Sequence, residues 1–373
     1  MSQRISISLS NIAIILGLVL SLVLVWQIRS LLVVLMISVV LAASIAPLVN
    51  LLEKWRFPRW LGVVVSYLSI IGVLTGVMVI IGPTVFEQIE RLLRQLPIFA
   101  DTIVKRVETW AMNLNDTSAK LFADLFDAQA LTSWLFRSSQ QLVLRSYGIT
   151  RGIVGAVVSI VLALFISGYM VADSRTLIRS FVQLFPTPWN DRLAAQASVV
   201  SHRMGGYIRG RLLVSGILGL AITTGLRFLG LADFSLALGA IAGVTNLIPF
   251  LGPILGSIPA LIVAVSQGWW TFLWVLLLFV IIQNVETYLL DPLLVGSSVG
   301  VHPLYQLLAV LGGVQILGII GALIVPPWFA GAAALVENLY LRPKLAAEGK
   351  LRGEALATIS PTENTEEGVK YEV

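Results

Sequence analysis

The 373-residue chain contains no cysteine, which excludes thiol catalysis, disulfides and cysteine-ligated zinc or iron–sulfur centres. It has two histidines, His202 and His302, so one chain cannot assemble a multi-histidine metal site. No GxxxxGK[ST] phosphate loop and no HExxH pair occurs, so no ATP-driven pump of the P-loop type and no zinc protease is encoded. No cofactor is expected. Charge is scarce too. Asp, Glu, Lys and Arg make up 12% of the chain, about half of what a soluble domain carries.

What fills the chain instead is apolar: 57% of residues are hydrophobic and the mean hydropathy is +0.90. Much of the surface therefore never meets water, and the fold class is an all-α polytopic membrane protein. The formal charge of +5 does not indicate nucleic acid, because Lys and Arg cluster beside apolar runs, where they fix orientation in a bilayer.

A crossing helix needs about 20 apolar residues. Residues 12–26 and 31–52 supply an uncleaved hairpin, and residues 60–81 a third span closed by Gly82-Pro83. Residues 84–148 form an amphipathic insertion in which Phe86, Ile89, Leu93 and Leu96 repeat at helical spacing. A fourth span lies in 149–172. Residues 173–211 form a basic amphipathic segment, with Thr187-Pro188 read as a helix start. There Arg192, Arg203 and Arg209 are expected to face water or anionic lipid headgroups. Residues 212–342 hold four further spans, at 212–229, 234–265, 269–290 and 303–325, and residues 343–373 read as a disordered tail. Six Lys and Arg against two acids place 173–211 in the cytoplasm. About eight crossings with both termini cytoplasmic satisfy these charges. No internal repeat is visible.

Two places in this core carry chemistry. Asn246 to Pro259 contains Pro249, Gly252, Pro253, Gly256 and Pro259. Each interior proline removes a backbone donor, at a cost of about 3 kcal/mol in a regular helix. The freed carbonyls must face protein or a wet cavity, so the sixth element is expected to be broken or re-entrant. The second place is a polar stripe of Gln283, Asn284, Glu286, Thr287 and Asp291 on an otherwise apolar span. A carboxylate there costs roughly 2.5–3.5 kcal/mol on insertion scales and faces a cavity or a partner. Glu286 is the leading candidate. His302, beside Pro303, could titrate near neutral pH. Small-residue spacings at Gly239/Gly243, Gly252/Gly256 and Gly206/Gly210 permit close helix packing. Gly296-Ser297-Ser298-Val299-Gly300 matches the nucleophile-elbow pattern, but without a strand or a separately placed base it does not indicate a hydrolase.

In order along the chain, several motifs resemble the autoinducer-2 exporter (AI-2E) family of bacterial membrane proteins. They are Pro58-Arg59-Trp60, the hydrophilic insertion, Gly206-Tyr207-Ile208-Arg209-Gly210, Asn246 to Pro259, Gln283 to Glu286 with Pro292, and His302-Pro303-Leu304. The resemblance implies a homo-oligomeric transporter of the cell inner membrane with about eight spans. Relatives are linked to autoinducer-2 export or to sodium/proton antiport. Three functions stay open. A secondary exporter of a small polar solute would use Asn246, Pro249, Gly252, Pro253, Gln283, Asn284, Glu286, Asp291 and His302 along its path. A sodium or lithium/proton antiporter would exchange its proton at Glu286. A non-transporting scaffold would act through the outer helices.

Overall fold

A computed structural model describes residues 9–112, 157–296 and 302–348, and all regular structure among them is helical. The helices are α1 (Leu9–Gln27), α2 (Arg29–Lys54), α3 (Arg59–Met112), α4 (Val157–Ala172), α5 (Ser174–Val182), α6 (Trp189–Phe228), α7 (Ser235–Thr245), α8 (Leu251–Gln267), α9 (Trp269–Val285) and α10 (Pro303–Val336). A π segment, Glu286–Gly296, prolongs α9, and a shorter one, Glu337–Leu341, prolongs α10. Helices suit apolar runs in lipid because each satisfies its own peptide groups.

By length and apolarity five helices can cross a membrane, or six when the bent pair α4–α5 counts as one span. Two segments of the core are folded back on themselves: 234–265, where the break was expected, and 303–325, read above as a single span. In 234–265, α7 and α8 form an antiparallel hairpin. A Cβ on Gly256 would meet Ala242, and one on Gly252 would collide with Thr245 and Asn246, so the arms touch backbone to backbone on either side of Pro249. In 303–325, α10 breaks at Gly318, whose φ of 66° is left-handed. Gly313 and Gly321 then meet backbone to backbone, and the rings of Tyr305 and Phe329 stack 6.2 Å apart. In a straight helix residues eight apart would be about 12 Å apart. The sequence shows no repeat, yet the chain carries two helical hairpins.

Helix α6 is the spine against which both hairpins pack. Gly219 faces Gly239 and Gly243 so closely that a Cβ on Gly243 would lie 3.0 Å from the Ser215 carbonyl. Between helices in lipid, attraction comes from contact rather than from water release, so such glycine faces set which helices pair. The open end of the α7–α8 hairpin sits at the C-terminal end of α6, where Leu226, Leu231, Phe234 and Leu238 are buried together. The open end of the α10 hairpin sits beside the N-terminal half of α6. There Gly331 meets Met204, Gln306 Nε2 donates to Tyr207 Oη at 3.5 Å and Arg203 pairs with Glu337 at 2.6 Å.

Several local expectations need correction. Helix α6 begins at Trp189 with Pro188 as its N-cap, and no side chain caps it. It then runs unbroken past residue 211, so the basic segment and the fifth span are one helix. Arg203 is held by Glu337, and Arg209 donates to the carbonyls of Ala43 and Ser44 at 3.2 and 2.9 Å. Neither is free for headgroups, because Gly205 brings α2 against α6 at that level. Residues 84–112 continue α3 instead of forming separate helices. Their buried side is Leu92, Phe99 and Ala100, while Phe86 is exposed; Pro97 stands within that stretch. Residues 113–148, the rest of the expected insertion, lie outside the described residues, as do the GxSxG serines. The C-terminal helix extends to Glu348, so the reading of a disordered tail does not hold for 343–348.

Candidate functional site

The α7–α8 hairpin turns over Asn246 to Phe250. Phe250 has φ 64° and ψ −44°, and Leu251 N donates to the Pro249 carbonyl at 2.7 Å. That is a γ-turn of the strained hand. A bulky residue held at positive φ stores on the order of 1–3 kcal/mol, stabilised here by the contacts of Gly252 with Thr245 and Asn246. The turn holds Asn246, which is 3% exposed, at the tip of α7.

Facing that tip is the start of the π segment. In an α-helix Glu286 and Asp291 would project about 140° apart. The i→i+5 bonding of a π-helix brings residues five apart towards one side, and both carboxylates reach a single guanidinium. Arg211 on α6 lies 2.9 Å from Glu286 Oε1 and 3.2 Å from Asp291 Oδ1. Its other terminal nitrogen donates to Asn246 Oδ1 at 3.3 Å, and Asn246 Nδ2 donates to Glu286 Oε1 at 3.0 Å. Arg211 and Glu286 are each 2% exposed. Gly210 makes the approach possible, since a Cβ there would collide with the Leu294 carbonyl of the π segment.

Beside this network lies a partly open cavity of about 20 Å³ lined by Asn246, Gln283 and Glu286, with Leu218, Pro253 and Phe279 among its apolar walls. A water needs roughly 10–15 Å³ on this measure, so the space suits one water-sized particle. Arg211 Nε and Ser215 Oγ, one turn apart on α6, are buried without a hydrogen-bond partner. Among the described residues no group of three or more His, Asp or Glu could hold a metal ion.

The residues anticipated for a pathway divide accordingly. Asn246, Glu286 and Asp291 converge; Gln283 and Pro253 line the cavity; Pro249 and Gly252 build the turn that holds Asn246 in place. Asn284 does not join them. It points outward and donates to the Val280 carbonyl at 2.7 Å, because it lies about 160° round the helix from Glu286. His302 is also elsewhere: its Nδ1 accepts from Leu304 N at 3.2 Å and caps α10. Arg211, the centre of the network, was missed because it ends a basic run and reads as a surface charge. Charge balance held a clue, since the two acids of the polar stripe needed a cation that the stripe lacks.

The pattern of the AI-2E family transporter family matches residues 13–341. The chain belongs to this family. YueF of Bacillus subtilis strain 168, named for transport without a stated solute, is 29% identical over 318 residues, covering 83% of this chain and 84% of that protein. YrrI of the same organism, named likewise, is 28% identical over 309 residues, 80% and 84% of the two chains. The AI-2 transport protein TqsA of Escherichia coli strain K12 is 26% identical over 337 residues, 88% and 89% of the two. With its apolar helices, this AI-2E family member is a multi-pass membrane protein of a transporter family.

Proposed function

We propose that this protein is an ion-coupled secondary transporter whose working centre is Arg211, Asn246, Glu286 and Asp291. One observation carries the reading: a single buried guanidinium faces two carboxylates beside a cavity sized for one small particle. The surplus negative charge beside Arg211 attracts a proton or a monovalent cation. Arg211 can stay with Asp291 while Glu286 binds that cation, and close onto Glu286 after its release. Neither state leaves a naked charge, which is what makes exchange across lipid affordable.

In the bilayer, α1–α4, α6 and α9 cross, and the two hairpins enter from opposite sides. The hairpin α7–α8 comes from outside, and α10 from the cytoplasm. Both termini are then cytoplasmic, as the basic flanks require. Broken elements are how many secondary transporters place polar backbone at a site. Export of a small polar solute is the second reading, favoured by the similarity to TqsA; the orphan Arg211 Nε and Ser215 Oγ would receive its oxygens.

Proteoliposomes loaded with a pH dye separate the two. Cation/proton exchange gives a pH change on adding sodium or lithium that disappears in Glu286→Gln. No response to either ion, together with autoinducer-2 flux that survives in Glu286→Gln, overturns the ion-coupled reading.

A further inference from the structure

Beside the N-terminal half of α6 lies a separate groove of about 760 Å³ between α2, α4, α5 and α6. That volume is within the range of small-molecule sites, about 300–1,000 Å³. Its long walls carry small side chains, Ala42, Ala43 and Ala46 on α2 and Ala194, Ala197, Ser198 and Ser201 on α6, with Asn50, Gln183 and Asn190 also in the lining. They leave an apolar trough where larger residues would have filled it.

One end of the trough is cationic. Helices α4 and α5 meet at 83°, so α5 turns away from the direction of α4 and carries Arg175 and Arg179 on successive turns. Arg59 pins the bend. Its Nε donates to the Val171 carbonyl at 2.9 Å, and its terminal nitrogens reach Glu53 at 2.8 Å and Ser174 Oγ at 3.1 Å. Glu53 is thus already engaged when Arg175 approaches it at 3.4 Å. Arg179 lines the groove and forms no ion pair among the described residues. Asp191, on the far wall, is the one acid in the lining. Three arginines therefore face two carboxylates, and the Arg175/Arg179 pair repels itself at i,i+4 spacing unless an anion bridges it.

We infer that this groove binds an anionic phospholipid, with its phosphate at Arg175 and Arg179 and an acyl chain laid along the alanine trough. An anionic headgroup joined to an apolar chain matches the surface at both ends. A soluble anion matches only the arginines, and a zwitterionic lipid brings its own cation to them. The inference uses the orientation proposed above solely to assign the cytoplasmic leaflet; the cation at Glu286 plays no part in it.

The test is native mass spectrometry of the purified full-length protein in detergent doped with equal phosphatidylglycerol and phosphatidylcholine of identical chains. Phosphatidylglycerol should be retained about thirtyfold more tightly, the scale two arginines contribute at an anionic headgroup. Arg175→Gln/Arg179→Gln should abolish the preference. Ala194→Leu should abolish retention with both arginines intact, since the chain loses its bed. Arg192→Gln, which removes a charge lying over the Trp189 ring and not lining the groove, should leave the preference unchanged. Equal retention of the two lipids by the unaltered protein would overturn the inference. So would full retention in Ala194→Leu, loss in Arg192→Gln, or displacement by millimolar glycerol phosphate. Glu286→Gln should retain the lipid normally even if it abolishes exchange, so failure of the transport reading and failure of this one give different results.

Discussion

Replacing Arg211 by Met tests the central network most directly. Methionine keeps much of the volume and removes the charge. In the intact protein the guanidinium bridges Glu286 at 2.9 Å and Asp291 at 3.2 Å, and the side chains of Arg211 and Glu286 are each 3% exposed. Unit charges about 4 Å apart at an effective dielectric near 20 attract by about 4 kcal/mol. Stripping one partner from such a pair costs about 3–5 kcal/mol, because the other is left buried and unpaired. Arg211→Met should therefore lower the melting temperature of the purified protein in detergent by about 5–10 °C. Arg211→Met/Glu286→Gln removes both charges, and replacing a buried pair as a unit is often neutral, so most of the loss should return. Asp291→Asn is the internal control: its side chain is 39% exposed and water screens it, so the cost should stay below about 1 kcal/mol. Scanning fluorimetry of the parent, Arg211→Met, Glu286→Gln and the double variant gives the cycle, with Asp291→Asn measured beside it. An Arg211→Met variant that melts within a degree of the parent, or a double variant no better than the single, would refute the buried pair.

Two further outcomes concern the hairpins. Gly252→Ala puts a Cβ 2.5 Å from Asn246 Cα, a backbone atom that cannot swing aside, and should cost at least about 1–3 kcal/mol by overpacking. Gly216→Ala on α6, with nothing within 4 Å of the new carbon, should instead leave the melting temperature unchanged or slightly raised; equal losses in the two would deny the close approach. Phe250→Gly relieves a left-handed φ of 64° and frees the tip, so the strain of on the order of 1 kcal/mol is exchanged for mobility. Hydrogen exchange of the Leu251 and Gly252 amides should accelerate, while protection in α6 is kept. Unchanged exchange at the tip would show that the turn does not depend on a large residue there.

Much of this protein was legible along the chain because it depends on neighbours in sequence. Apolar runs of helical length, prolines and glycines, and flanking arginines act locally. They sufficed for an all-helical membrane fold, for a break at Asn246 to Pro259 and for a carboxylate at Glu286 that needs a partner. Those signals do not say which way the chain goes after a break, so a kinked span and a folded-back hairpin look alike. Only three-dimensional contact of Gly252 with Thr245, and of Gly313 with Gly321, decided that. The partner of Glu286 was hidden for the same reason. Arg211 and Asp291 are 80 residues apart, Arg211 and Asn246 are 35 apart, and no local pattern links them. A change of helical pitch after Val285, invisible in a hydropathy plot, turned two acids towards one cation. Composition decided the solvent and the secondary structure; packing of small residues around α6 decided which charges share a site.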